Sequence, residues 1–364
     1  MPTPDDEVWR YSRIDELRLG EFVPGRATTT VEGAGDMLGD SVPATDLHDA
    51  VDVFHLLNLA FGDPTVITVP RGRVVAEPIV VTHIVDAALG ADGQRTAVFP
   101  RLVIDVGEDA EVTVVEQFLS PDGDRSLVVP RLEVCAAQAA RVRYLGVNLL
   151  ATSTWSIGHQ HAIGDRDSAT LLATVALGGD YARVRTEAHV VGQGASTRQV
   201  ALYFADGDQM HDFRTLQDHA APKTNSDLLF KGAVQGHAKS VYTGLIKIRN
   251  EAKGSTAFQT NRNLTLSEGA WAESVPNLEI ETNDVKCSHA STVGPIDEEQ
   301  RFYLESRGIP PEVAERLVVL GFFDEVLHQL PVGPLADELR ARVSAKLHAP
   351  AAEQHAAELE GSHA

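Results

Sequence analysis

The stretch Leu102-Val103-Ile104-Asp105-Val106-Gly107-Glu108-Asp109-Ala110-Glu111-Val112 decides how this chain is read. It joins an apolar, β-branched run to a turn of small and acidic residues, an alanine and a second run. β-branched side chains are stiff and pack well on a pleated surface, so such runs favour strands. The pattern returns at Leu132-Glu133-Val134-Cys135-Ala136-Ala137-Gln138-Ala139-Ala140-Arg141-Val142 and at His161-Ala162-Ile163-Gly164-Asp165-Arg166-Asp167-Ser168-Ala169-Thr170-Leu171. It returns again at His189-Val190-Val191-Gly192-Gln193-Gly194-Ala195-Ser196 and at Leu264-Thr265-Leu266-Ser267-Glu268-Gly269-Ala270-Trp271. The spacing is roughly 20 to 30 residues, which lies in the solenoid range. One rung cannot bury its inward side chains alone, whereas stacked rungs share a continuous core. Small residues at the corners let the backbone turn tightly. The pattern favours a β-helix, although the same strands could also build a β-sandwich with long hairpins.

On either side of this all-β core, about residues 64–296, the texture changes. Leu304, Leu317, Val318, Phe322, Val326 and Leu330 fall near i, i+3/i+4 spacing, so residues 297–349 read as helical. Pro310-Pro311 suits the first turn of a helix, and Pro331 and Pro334 read as breaks in the next. The Ala/Glu/His-rich tail, residues 350–364, is expected to be disordered. Residues 1–63 are expected to be partly helical. Asp5-Asp6-Glu7-Val8-Trp9-Arg10-Tyr11 opens a helical segment. Residues 45–60, with Leu47, Val51, Phe54, Leu57 and Leu59, suggest a short amphipathic helix.

Bulk composition excludes several classes of function. The chain has 364 residues and a formal net charge of -21. A nucleic-acid surface needs an excess of Lys and Arg to neutralise phosphates, and an anionic membrane needs the same. No run of roughly 18 apolar residues occurs, so no membrane-spanning helix is expected. The first residues carry no basic and apolar leader pattern. Cys135 and Cys287 are the only cysteines, too few for a disulfide framework, which fits a reducing cytoplasm.

Within the core, one segment carries metal-ligand chemistry. Asn283-Asp284-Val285-Lys286-Cys287-Ser288-His289-Ala290 places a thiol and an imidazole two residues apart. On a strand, positions i and i+2 share a face. Sulfur and imidazole nitrogen suit zinc, copper or iron in clusters. Two ligands do not close a site, so either the rest comes from elsewhere or the pair is structural.

Other candidates are weaker. Lys231-Gly232-Ala233-Val234-Gln235-Gly236-His237-Ala238-Lys239-Ser240 lacks the lysine directly after the second glycine that a phosphate loop requires, and a strand follows, so its glycines read as turns. His159 and His161 could share a strand face, and with His189 they read as half-exposed strand histidines. His211 and His219 sit in a polar stretch, residues 206–225, that reads as a loop or rung edge. Asp227, Lys231, Arg249, Arg262 and Glu281 show no paired-carboxylate spacing and read as solvated rung exteriors.

Two segments carry a family resemblance. One is Ala257-Phe258-Gln259-Thr260-Asn261-Arg262-Asn263-Leu264. The other is Leu278-Glu279-Ile280-Glu281-Thr282-Asn283-Asp284-Val285-Lys286-Cys287-Ser288-His289. They continue through Val293-Gly294-Pro295-Ile296-Asp297 and Arg301-Phe302-Tyr303-Leu304-Glu305-Ser306-Arg307-Gly308-Ile309. Together with Asp6-Glu7-Val8-Trp9-Arg10-Tyr11 they strongly resemble the SufD family, part of the SufB/SufD superfamily of iron–sulfur cluster assembly proteins. The dense match covers about residues 206–332.

The resemblance implies a right-handed parallel β-helix flanked by N-terminal and C-terminal helical regions. It also implies a non-catalytic scaffold. The partners would be SufB, paired through the β-helices, and the ATPase SufC, bound through the C-terminal helical region; the isolated chain could also form a homodimer. By the same resemblance His289 matches the histidine proposed to hold a transient iron–sulfur cluster at the SufB–SufD interface, and Cys287 matches the neighbouring motif cysteine. Leu317, Phe322, Phe323 and Val326 match the region that meets SufC. SufB-type chains carry a sulfur-accepting cysteine about nine residues before the matching histidine. Here that neighbourhood is Leu278-Glu279-Ile280-Glu281, which makes the chain resemble the D-type subunit.

Overall fold

A computed structural model describes residues 1–39, 42, 52–85, 94–123 and 125–347. Two parallel sheets run its length. The first stacks Asp63–Val69, Pro100–Val106, Arg131–Ala136, Trp155–Gly164, Tyr181–Val190, Met210–His219, Lys239–Ile248 and Trp271–Ile280. The second stacks Ile79–Ile84, Glu111–Leu119, Arg141–Leu149, Ala169–Ala176, Ser196–Ala205, Asn225–Val234, Ser255–Thr265 and Val285–Gly294. The chain alternates between sheets, so each strand pairs with the strand one rung away. Phe213, for instance, lies between Val184 and Tyr242. After a longer first rung, as from Asp63 to Pro100, rungs advance by about 26 to 32 residues, as from Trp155 to Tyr181 and from Lys239 to Trp271. The result is a parallel β-solenoid of about seven turns, not a sandwich.

The corners explain the recurring alanine. Asp109, Ala139, Asp167, Gly194, Lys223 and Gly254 turn the chain from the first sheet to the second with positive φ. The next residue in each rung is Ala110, Ala140, Ser168, Ala195, Thr224 or Ser255, all at most 1% exposed. These small side chains stack at one corner, where a larger one would prise the rungs apart. The lumen between the sheets is apolar in the early rungs, with Ile67, Ile79, Leu102, Ile104, Val112 and Leu132 in one cluster. It becomes more polar later, where Tyr203, Tyr242, Gln259, Asn261 and Asn263 hydrogen-bond to one another.

The first rung is covered at its edges. Thr28–Glu32 pairs antiparallel with Ile79–Ile84, and Leu38–Gly39 pairs antiparallel with Asp63–Val69. The residues before 63 therefore supply strands as well as helical turns. The segment at residues 5–11 forms only a single 3-10 turn, Glu7–Trp9. Helix α1, Val53–Phe61, is capped by Asp52, whose carboxylate accepts from the His55 backbone N–H at 3.0 Å. It docks by Asn58, whose amide donates to the Pro100 and Val129 carbonyls at 2.9 and 2.7 Å. Leu47 and Val51 of the expected amphipathic helix lie outside the described residues, as does the tail at 350–364.

Each sheet has a covered outer face. The N-terminal segment lays Trp9, Ile14, Leu17 and Phe54 on Phe99, Trp155, Tyr181 and Met210 of the first sheet's side. Arg183 stacks 4.0 Å from the Trp9 ring and donates to the Val8 carbonyl at 2.6 Å. On the second sheet lie α2 (Glu298–Ser306), α3 (Pro311–Leu327) and α4 (Gly333–Lys346). Pro334 does not break a helix: it sits in the first turn of α4, where no backbone donor is needed. Val319, Phe323, Val326, Leu339 and Val343 pack on Val175, Leu202 and Phe204 of the sheet. Each side chain so buried contributes about 1.5–3 kcal/mol. Among the described residues no helix is long and apolar enough to cross a membrane.

Candidate functional site at the terminal rung

Val285–Gly294 is the last strand of the second sheet and pairs with Ser255–Thr265. The register sets Cys287 beside Ala257, His289 beside Gln259, Ser291 beside Asn261 and Val293 beside Asn263. Ala257, Gln259, Asn261 and Asn263 are buried. Gln259 donates to the luminal Tyr242 hydroxyl at 2.6 Å, which fixes the direction of this face. Residues in register share a face, so Cys287, His289, Ser291 and Val293 all face the open mouth of the lumen. Cys287 and His289 thus stand side by side, as the i, i+2 spacing predicts.

The opposite lip is Trp271–Ile280, whose Ser274, Leu278 and Ile280 lie beside Tyr242, Ile246 and Ile248. The Ser291 hydroxyl meets the Ser274 hydroxyl at 2.7 Å across the mouth. Apolar side chains stay uncovered here: Leu278 is 39%, Ile280 42% and Val293 44% exposed. Among the described residues no strand pairs with the outer edge of either lip. Such an edge is a row of open backbone donors and acceptors, a template for another chain.

The two motif side chains differ in environment. His289 is exposed at the rim, with its imidazole accessible as a ligand. Cys287 is half-buried against Ile246, Ile248, Ala252, Ala257 and Val285. Burial pushes its pKa above the ordinary thiol value, so it stays a protonated thiol near neutral pH. One accessible imidazole and one protonated thiol are donor types found in metal sites, and the two alone do not close one.

The remaining sequence candidates fall elsewhere, several of them in more buried places than expected. His161 and His189 are buried rather than half-exposed, while His159 stays partly exposed; the three are packed in rows on the outer face of the first sheet. The His159 Nε2–H donates to Glu187 at 3.2 Å, and the His189 Nδ1–H donates to Asp218 at 2.9 Å. Glu187 escaped sequence reading because its partners lie a full rung away. His211 and His219 are not in a loop. They lie on the strand Met210–His219 and are fully buried, because a strand paired on both edges needs no local apolar pattern. Their polarity is met by partners. The His211 Nε2–H donates to the Gly178 carbonyl at 3.2 Å, and the His219 ring bonds the Thr224 and Ser226 hydroxyls at 2.7 and 2.8 Å.

Lys231 is not on a solvated exterior either. It lies under α3, donating to the Phe322 carbonyl at 2.8 Å and pairing with Glu325 at 2.5 Å. Of the other four, Arg249, Arg262 and Glu281 are exposed and Asp227 half-buried. Gly236, with φ +66°, makes the turn that the glycine-rich segment predicts.

In the C-terminal region, Phe323 and Val326 are fully buried against the chain's own sheet. Leu317 is 44% exposed, and Phe322 is half-buried. These last two line a groove of about 930 Å³ with Leu264, Tyr303, Leu304 and Val318, rimmed by Asp297 and Glu299.

Comparison with known proteins bears on this arrangement. A family model described as the SUF system FeS cluster assembly, SufBD core domain, matches residues 88–322. An iron–sulfur cluster assembly SufBD family protein of Mycobacterium tuberculosis is 34% identical over 370 residues, covering 95% of this chain and 89% of its own length. The iron–sulfur cluster assembly protein SufD of Escherichia coli is 30% identical over 341 residues, covering 92% of this chain and 80% of its own. SufD of Bacillus subtilis is 29% identical over 281 residues, covering 77% and 63%.

Proposed function

This chain belongs to the SufBD family of iron–sulfur cluster assembly proteins, and from that premise we propose that it is a D-type scaffold pairing with SufB through its terminal rung. The observation that carries the reading is the open last rung. The outer edges of both last strands have no partner strand among the described residues, and apolar side chains are uncovered beside an accessible imidazole. A second solenoid ending the same way would satisfy the backbone edges and bury Leu278, Ile280 and Val293. It would also bring further ligands to His289. A nascent iron–sulfur cluster held there is cargo, built and released. Leu278-Glu279-Ile280-Glu281 holds no thiol, so SufB would supply the sulfur-accepting cysteine. Cys287 would flank the site, its protonated thiol a weak ligand until a metal or a partner's positive charge lowers its pKa.

The groove between α2 and α3 is the surface offered to SufC, with Leu317 and Phe322 as its apolar contacts. Phe323 and Val326 support that surface from beneath. Chemistry in this scheme belongs to SufC, and this chain is not itself catalytic. ATP-driven movement of SufC would pull on α3. Lys231 ties α3 to the second sheet, so the pull would reach the solenoid rather than peel the helix away.

Co-expression with SufB and SufC, followed by anaerobic purification, tests the proposal. The three chains are expected to copurify with the visible absorption of a cluster. His289→Ala should keep the complex and lose the absorption. A His289→Ala complex that assembles clusters at the wild-type rate would reduce the role of this chain to a docking platform.

A further inference from the structure

We propose that His161, Glu187 and His189 form a binding site for a divalent first-row transition ion, on the outer face of the first sheet and separate from the terminal rung. The register builds the cluster. Glu187 pairs directly with His161, and His189 lies two residues further along the same strand, on the same face. One ligand atom from each lies within 4.8 Å of the others. All three are buried, at 4%, 5% and 8% exposure. The His161 and His189 rings are 4.9 Å apart, centroid to centroid. Two imidazoles and one carboxylate are a donor set suited to zinc(II) or iron(II).

The surroundings prepare these groups as ligands. Asp218 accepts from His189 Nδ1 at 2.9 Å and is itself gripped by Arg249 through two bonds, at 2.9 and 2.7 Å. A carboxylate so held stays ionised, which places the His189 proton on Nδ1 and the lone pair on Nε2. A carboxylate behind a histidine is the recurrent outer partner of a metal-binding imidazole. Glu187 takes a bond from Arg185 Nε on Oε1 at 2.7 Å and one from His159 Nε2 on Oε2 at 3.2 Å. Arg185 Nη2 also pairs with Oε1, at 2.5 Å. An ionised carboxylate has about four acceptor positions, so these contacts orient it and leave one position, on Oε2, for a metal. Of the nearby guanidinium groups, Arg101 and Arg131 share Glu133, Arg249 is held by Asp218 and Arg185 by Glu187 itself. The strand that carries Cys287 and His289 is on the other sheet, so the two sites do not share ligands.

Cobalt(II) titration of the metal-stripped full-length chain, followed by its visible d–d bands, tests the assignment. One equivalent is expected to bind, with zinc(II) and anaerobic iron(II) competing for it. His161→Ala and His189→Ala should weaken binding at least about 100-fold, and His289→Ala should leave it unchanged. Asp218→Asn retains all three ligands and should weaken affinity by about 10–100-fold, the usual effect of losing an outer partner; it carries the test if the alanine variants do not fold. A wild-type chain that binds no cobalt, or binding that survives these substitutions, or binding abolished by His289→Ala alone, overturns the proposal.

Discussion

The two ends of the solenoid finish in opposite ways. At the first rung, antiparallel strands cover both edges, and Ile67, Ile79 and Val81 are fully buried. At the last rung, among the described residues, neither outer edge is covered, and the inward-facing Leu278, Ile280, His289 and Val293 are exposed. A solenoid needs a cap wherever its core would otherwise meet water. One end has its cap within the chain. The other keeps an apolar, edge-bearing mouth with a histidine on its rim. Exposed edges invite aggregation, and natural proteins suppress them unless they are used. The contrast therefore assigns stability to one end and association to the other.

The largest expected effect tests that division directly. Ile79→Ala removes a fully buried side chain at the capped end and should cost about 2–5 kcal/mol in chemical denaturation. Leu278→Ala, at the open end and 39% exposed, should cost less than about 1 kcal/mol. It should instead weaken copurification with SufB. Equal stability losses at the two ends, or a Leu278→Ala chain that pairs normally, would break the comparison.

How much of this was legible in the sequence depends on distance along the chain. The rung repeat was readable because each strand carries its own β-branched run and each corner its own small residue. Ala110 and Ala140 stack because every rung needs a small residue there, and that shows in any single rung. Cys287 and His289 were readable because a strand's two-residue period is local. What escaped was set by partners about 29 residues away. His211 and His219 looked like loop residues because nothing adjacent reveals that ladders on both sides bury them. Glu187 looked unremarkable until the register put it beside His161. Phe323 and Val326 share a helical face with Val319. An apolar face on a helix does not say whether it packs on its own sheet or on a partner.

A smaller effect sharpens the contrast from the middle of the molecule. Burial lowers the pKa of His219 to about 4 and that of His211 to about 3, so both are neutral in the fold. In the unfolded chain each takes up a proton near pH 6.5. Between those values the unfolded state binds more protons. The stability they contribute is therefore full above about pH 6.5 and is lost as pH falls toward 4. The loss should be on the order of 3 kcal/mol for His219 across that window. Hydrogen exchange should show Met210–His219 and Asn225–Val234 opening in acid before the capped first rung. Replacing His219 with Gln should flatten the pH dependence. Acid exchange that starts at the first rung would mean that the cap, not the polar middle, is the weak part.

The smallest effect concerns Cys287, and it asks whether the open mouth is reactive before a partner arrives. The thiol is half-buried among Ile246, Ile248, Ala252 and Val285, and burial disfavours its thiolate. Only the thiolate attacks an alkylating reagent. In a Cys135→Ser background, iodoacetamide should therefore modify Cys287 several-fold more slowly at pH 8 than an unstructured peptide thiol. The gap should narrow as the pH is raised further and the buried thiol ionises too. Leu278→Ala trims the opposite lip beside Ile246 and leaves the thiol's own strand neighbours in place, so it should change the rate little. Ala257→Val crowds the packing itself and should change it more. Adding SufB should slow modification further, since the proposed interface covers the mouth. If Cys287 reacts as fast as the peptide, the isolated open end already holds an activated sulfur, and the ends would differ in chemistry as well as in covering. If it is slow alone and slower with SufB, the mouth is a docking surface first and becomes a ligand site only when both halves meet.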